Sequence, residues 1–461
     1  MRAPMLRRAM LALAALAGFA LAGLSLTVMA LTVSALTVMA LPARAEVPIT
    51  AVTSPGGLTA WLVEEHSIPF VALEIRFLGG ASLDAPGKRG AVNLMTALIE
   101  EGAGDLDAQA FAEARESLAA TYTFRAGDDT IAVSAQFLTE NRAAAAALLK
   151  KALIRPRFDP DAIDRVRAQV ISGLKSDAQD PETIAGHTYD QLAFGTHPYG
   201  SSRDGTLESV AALTRPDILA AYAGGLARDR IFIGAVGDIS APELGQLIDD
   251  LLGALPATGA PLPGRADYLL KGGVTVVPFD GPQSITVFGQ TGLRRDDPDF
   301  FAAYILNEVL GGGRFGARLM TEVREKRGLT YGIGTVLSPM DHAELLMGQF
   351  ASANEKTAEA IEVVKAEWLK AAAGITQEEL DQAKTYLTGA YALRFDGNGP
   401  IADIMVGMQM DHLPIDYIAT RNDKVNAVSL ADVTRLAKRL IQPDQLHFVV
   451  VGKPVGVEST Q

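Results

Sequence analysis

The sequence predicts an α+β fold made of two homologous domains, each a mainly antiparallel sheet packed with helices, joined by a Pro/Gly-rich linker. Three observations lead there. At 461 residues the chain is too long for one ordinary core, and 48% hydrophobic with 21% charged residues is the composition of a folded globular protein. A Pro/Gly/Ala-rich stretch, residues 254–264, divides it into near-equal parts and reads as a stiffened linker. The two parts also end alike: Thr214-Arg-Pro-Asp217 opens a helical pattern followed by the apolar run Ile231–Gly237, and Ser429-Leu-Ala-Asp432 opens another followed by His447–Gly452. Asp217 to Asp432 and Gly237 to Gly452 are both 215 positions apart, and a shared offset across two elements indicates duplication.

Taken from the N-terminus, Arg2, Arg7 and Arg8 precede an uncharged apolar run from Ala9 to Leu41 that closes on Ala43-Arg44-Ala45. This is the pattern of an export signal, residues 1–45, cut before Glu46. The periplasm is then the expected location, with no stable membrane insertion once the signal is removed. The run is about twice the usual length of such a segment, so a retained membrane anchor is the alternative. An N-terminal domain over 46–253, a linker over 254–266 and a C-terminal domain over 267–461 follow. Within the first domain, Ala120–Phe124 and Thr130–Phe137 are strand patterns joined by a turn at Gly127-Asp128-Asp129 with no helix between them, which predicts antiparallel pairing. The Ala-rich segment Asn141–Leu153 has helical spacing.

Charge and composition exclude several functions. The net charge is −13, and removal of four arginines with residues 1–45 leaves −17, so a nucleic-acid partner is not expected. There is no cysteine, which removes disulfides, thiolate metal sites and cysteine nucleophiles. The six histidines (His66, His187, His197, His342, His412 and His447) include no pair at the i, i+4 spacing of a helical zinc site. No G-x-S-x-G nucleophile elbow occurs, and Gly311-Gly312-Gly313 lacks the Gly-Lys-Ser/Thr of a phosphate loop.

One segment carries more. Leu310-Gly-Gly-Gly-Arg-Phe-Gly-Ala-Arg-Leu-Met-Thr-Glu-Val-Arg324-Glu-Lys-Arg-Gly328-Leu-Thr-Tyr331-Gly combines a glycine-rich loop, a helix predicted from Ala317 to about Arg327, Gly328 at the left-handed cap position and a strand beginning at Tyr331. A guanidinium and a phenol placed this way are donors suited to a peptide carbonyl. The segment resembles the C-terminal domain signature of the insulinase-like (pitrilysin) family of zinc metallopeptidases, and the resemblance extends over the chain after residue 45. It implies that Arg324 and Tyr331 bind substrate. The family's N-terminal domain carries H-x-x-E-H on a helix, with a further Glu ligand downstream. The equivalent stretch here places Asn93 and Ala97 at the histidines, Thr96 at the glutamate and Leu174 at the downstream ligand.

Ala97 and Leu174 have no donor atom and Thr96 is no base near neutral pH, so no metal is expected on this chain. The resemblance further implies a non-catalytic subunit that completes a zinc endopeptidase with an H-x-x-E-H partner, zinc being bound by that partner and a peptide being the substrate. The alternative is a structural or peptide-binding protein of the same fold that takes no part in hydrolysis.

Overall fold

The computed structural model describes residues 47–460, so the expected signal segment lies outside the described residues. Among the described residues no helix is long and apolar enough to cross a membrane.

Two mixed sheets organise the chain. The first contains β1 (Thr50–Thr53), β2 (Thr59–Glu64), β3 (Phe70–Leu78), β6 (Thr121–Ala126), β7 (Thr130–Leu138) and β8 (Ile231–Gly237), in the order β1-β2-β8-β3-β7-β6; β4 (Gly102–Ala103) and β5 (Leu106–Asp107) form a small separate pair. The second contains β9 (Gly273–Pro278), β10 (Gln283–Thr291), β11 (Ile333–Pro339), β12 (Glu344–Ala353) and β13 (His447–Gly452), in the order β11-β12-β10-β13-β9. Read from the other edge, the second order repeats the first without β1: β2-β8-β3-β7-β6 against β9-β13-β10-β12-β11. In both, only the pair β2/β8 or β9/β13 is parallel.

The predicted elements recur with their local chemistry. β6 and β7 pair antiparallel across the Gly127–Asp129 turn. Thr214 and Asp217 form a capping box on the helix Arg215–Gly225, and Ser429 and Asp432 form one on Leu430–Leu440, each satisfying amides the first turn leaves unpaired. β8 and β13 are near-continuous apolar runs because each is covered on both faces. Each ends in a glycine with positive φ, 136° at Gly237 and 155° at Gly452, where a Cβ would meet Phe70 O at 2.1 Å or Ser284 Oγ at 2.3 Å.

One face of each sheet carries that half's own helices: the first core gathers Leu73, Phe77, Leu94 and Leu149, and the second Phe288, Phe350, Trp368 and Phe448. The opposite face is covered by a helix from the other half. Pro181–Phe194 lays Ala185, Tyr189 and Ala193 against Val287, Val449 and Val451 of the second sheet. Asn398–Met410 lays Ala402 and Met405 against Val63 and Val236 of the first. Residues 254–272 form no helix or strand, yet Ala266 N–H donates to His342 O and Leu269 N–H to Ala193 O, so the connection is bonded to both halves.

Candidate functional site

The helix Ala91–Ala97 is short and begins after Gly90, where Asp84 accepts from Gly90 N and Val92 N at 2.8 Å each. Asn93 and Ala97, one turn apart, are half-buried and exposed respectively. Thr96 points inward: it is 1% exposed, and its hydroxyl donates to Val92 O at 2.8 Å. Leu174 is half-buried on the helix Pro160–Asp177. An amide, a hydroxyl already engaged with the backbone, a methyl and an isobutyl group do not make a zinc donor set. Among the described residues no group of three or more His, Asp or Glu side chains is placed to hold a metal ion.

The segment around Arg324 departs from expectation in two respects. A π-helical stretch, Met320–Glu325, replaces the expected regular helix, with Lys326 N–H donating to Thr321 O at 3.0 Å. The strand starts at Ile333, so Tyr331 lies in the connection before it. The cap is as predicted: Gly328 has φ 59° and its N–H donates to Arg324 O, an αL-type closure, while Leu329 N–H donates to Val323 O. The extra residue in the helical turn re-aims the side chains that follow it.

Around this turn the neighbouring charges are already engaged. Lys326 and Arg327 both bond Glu322 at 2.7 Å. The Arg324 side chain has no carboxylate or hydrogen-bond partner among the described residues, and its guanidinium sits 5.2 Å from the ring centroid of Phe315, a loop residue that is 66% exposed.

The chain to either side of Tyr331 is fastened. Ser352 Oγ donates to Leu329 O at 2.6 Å, Lys356 Nζ to Gly328 O at 2.9 Å, and Thr330 Oγ1 lies 2.7 Å from Ala351 O and 3.1 Å from Gly332 N. Its single proton is shared between two carbonyls, Ala351 O and, at 2.8 Å, Gly332 O, the nearer being Ala351 O, while the oxygen accepts from Gly332 N–H. Leu329 and Ile333 are buried while Tyr331 is 89% exposed, so a rigid turn holds the phenol out in solvent. No hydrogen bond joins Arg324 to Tyr331 among the described residues; Arg324 rests on Phe315 and Tyr331 stands in solvent.

The glycine-rich loop is also anchored. Glu308, 6% exposed, stands 3.6 Å from Arg314; burial raises its carboxyl, and Arg314 with the amides of Gly313 and Arg314 opposes the shift. Arg318 grips Glu379 with a two-pronged bond at 2.6 and 2.7 Å. Against the upward pull of burial, this grip and the Thr376 amide hold Glu379 down to about 2.

The His197 loop is structural. His197 caps the turn Pro198–Gly200, and Tyr199, 3% exposed, donates to Asp129 at 2.6 Å and accepts from His342 N–H at 3.1 Å, tying the halves together. Beside it a polar cavity of about 230 Å³ is lined by Asp128, His187, Asp190 and Asp204, among others. Burial, then the neighbouring Asp128 charge, pushes Asp190 up to about 7. Sequence reading missed Asp190, Phe315 and the exchanged helices, because each depends on contacts across the two halves or on loop geometry.

A duplicated two-sheet α+β protein with a half-buried arginine over Phe315, an exposed phenol, and no zinc donor set among Asn93, Thr96, Ala97 and Leu174, is the class that this fold and site define. Residues 212–387 match the family described as the peptidase M16 inactive domain. The chain is 25% identical over 392 residues to the non-peptidase homolog YmxG of Helicobacter pylori, covering 84% of this chain and 90% of that relative. It is 23% identical over 407 residues to an uncharacterized zinc protease of Mycobacterium leprae, covering 85% and 89%. The crystal structure of a peptidase M16 inactive domain from Pseudomonas fluorescens superposes with a TM-score of 0.82 at 27% identity, covering 89% of this chain and all of that one. A protease structure from Helicobacter pylori, at TM-score 0.79 and 16% identity, shares the fold. Over these comparisons the chain resembles the insulinase-like, or M16, peptidase family, with the family model itself matched over residues 212–387.

Proposed function

We propose that this chain is an exported, non-catalytic subunit of a zinc endopeptidase, acting in the periplasm after removal of residues 1–45. In this reading it supplies Arg324 and Tyr331 to an active site whose zinc and general base lie on an H-x-x-E-H partner of the same family. The observation that carries the reading is the display of these two side chains: Tyr331 is 89% exposed on a turn fastened on both sides, and Arg324 is left to an aromatic ring while its cationic neighbours are paired. Among the described residues neither side chain makes a hydrogen bond or ion pair with the fold, which supports their availability to a ligand.

The division of labour follows from the chemistry of the residues. A partner's zinc would acidify a bound water. Arg324 and Tyr331 donate to peptide carbonyls and hold the scissile bond in place, a positioning effect that contributes several kcal/mol. The unsuitable donors at Asn93, Thr96, Ala97 and Leu174, and the match to a family described as inactive, support the absence of hydrolysis by this chain alone. The test is to assay peptide cleavage by this chain, by the partner and by their mixture. Cleavage by the mixture that is lost in Arg324→Ala or Tyr331→Phe supports the reading. Full activity of the partner alone refutes it in favour of a structural or peptide-binding role, and chelator-sensitive cleavage by this chain alone refutes both.

A further inference from the structure

The exchanged helix Pro181–Phe194 covers the outer face of the second sheet over β10 and β13 but leaves the β11 side open. There a groove of about 630 Å³ runs between the start of that helix and the glycine-rich loop, walled by Met320, Val336 and Met347. Val336 is 52% exposed, an apolar strand residue that finds no cover within the fold. The groove opens beside Tyr331 through Gly332, and Met320 begins the π-helical turn that carries Arg324.

Six glycines line it, and three of them have no role in packing. A Cβ on Gly311 would meet Thr335 Oγ1 at 2.5 Å, on Gly312 the Cα of Glu308 at 2.6 Å, and on Gly348 the carbonyl of Gly334 at 2.5 Å. At Gly332 an added Cβ meets nothing within 4 Å, at Gly313 only the Tyr386 hydroxyl at 3.7 Å, and at Gly334 only Gly311 O at 3.4 Å. None of these three has a positive φ. The fold accepts side chains there, and what their absence leaves is bare main chain lining an open groove, the surface that another main chain approaches closely. Among the lining residues Glu182 alone is ionisable; it is exposed and its side chain carries no hydrogen bond among the described residues.

We propose that this groove binds an extended, apolar peptide segment bearing a basic residue, with its main chain on the glycine floor, its apolar side chains against Met320, Val336 and Met347, and its cation at Glu182. The proposal rests on reading this chain as a peptide-holding subunit and names the kind of peptide held. A net charge of −13 favours the same ligand sign.

The test uses the full chain without a partner and two fluorescein-labelled peptides of alternating Val and Thr, one with a central Lys and one with a central Glu. Fluorescence anisotropy is expected to show saturable binding of the Lys peptide. That binding should weaken roughly tenfold in Gly334→Val and, independently, in Gly332→Val, where the side chain has room to fold but occupies the groove. Glu182→Lys is expected to reverse the preference between the two peptides. Equal affinity across wild type and both glycine variants, or a preference that Glu182→Lys does not reverse, overturns the proposal. Binding is read without hydrolysis, so the two readings fail separately. A charge reversal with no cleavage in the mixed assay leaves the groove and removes the complementing role; Tyr331-dependent cleavage with no groove effect does the opposite.

Discussion

Thr330→Val isolates the turn that presents Tyr331. Thr330 is 9% exposed, and valine matches its shape, so the change removes a hydroxyl and little else. Two bonds go: donation shared between Ala351 O at 2.7 Å and Gly332 O at 2.8 Å, and acceptance from Gly332 N at 3.1 Å. The Gly332 amide is on an exposed residue and water replaces the lost acceptor, whereas the Ala351 carbonyl lies in β12 and loses its side-chain donor. The expected loss is therefore that of one part-buried bond, about 1–2 kcal/mol. In local terms this makes opening of the 329–332 turn roughly 5 to 30 times more frequent. Urea unfolding should show a lower midpoint at unchanged slope, and chymotryptic cleavage after Tyr331 should accelerate within that range. Ser352→Ala, which removes the 2.6 Å bond to Leu329 O, should act in the same direction on the same turn. A stability change below about 0.5 kcal/mol together with unaltered cleavage at Tyr331 would show that the turn is held by something other than these bonds.

Three further outcomes follow from the same geometry. Thr96→Glu places a carboxylate at a position 1% exposed with no cation provided for it and should destabilise by about 2–4 kcal/mol in urea unfolding, whereas Ala97→His, on an exposed position, should stay within about 0.5 kcal/mol of wild type. Gly452→Ala should cost at least about 2 kcal/mol, since φ 155° and a 2.3 Å approach to Ser284 Oγ both oppose a Cβ, and Gly237→Ala should behave alike at the equivalent place in the first sheet. Asp190→Asn tests the polar cavity between the halves. The folded-state pKa of Asp190, raised to about 7 by burial and then by Asp128, means that the folded chain keeps a proton the unfolded chain releases from about pH 4 upward. The penalty is absent below that pH, grows as pH rises, and is complete above about 7. The variant should match wild type near pH 4 and melt higher at pH 8; an equal difference at both pH values would argue against titration of this group.

The legible part of the fold was the part written in short-range pattern. The two helix starts at Thr214 and Ser429 are capping boxes four residues long, and the runs ending at Gly237 and Gly452 are apolar over a strand's length, so a window of about ten residues contains all the physics that forms them. Gly328 was readable for the same reason: a helix needs a residue with positive φ at that point, and glycine adopts it without strain. The unsuitable donors at Asn93, Thr96, Ala97 and Leu174 were likewise a matter of side-chain chemistry, independent of where the chain places them.

Other features are fixed by groups distant in sequence. That Thr96 faces inward follows from the packing of its helix against the first core, and a two-turn helix gives too little periodicity to say so. The exchange of Pro181–Phe194 and Asn398–Met410 between the halves is absent from any local pattern, because an apolar face does not specify which sheet it will cover. The π-helical turn at Met320–Glu325 defeats a regular 3.6-residue reading by one residue and shifts the strand start from Tyr331 to Ile333. By itself the sequence determined a duplicated α+β chain, a consequence of local conformational preference, while the metal-motif positions and the Arg324/Tyr331 pair came from the family resemblance of the segments that carry them. Only the tertiary structure decided that Tyr331 stands out in solvent on a fastened turn, that Arg324 rests on Phe315, and that an open glycine-lined groove lies beside them, since each depends on where separate segments meet.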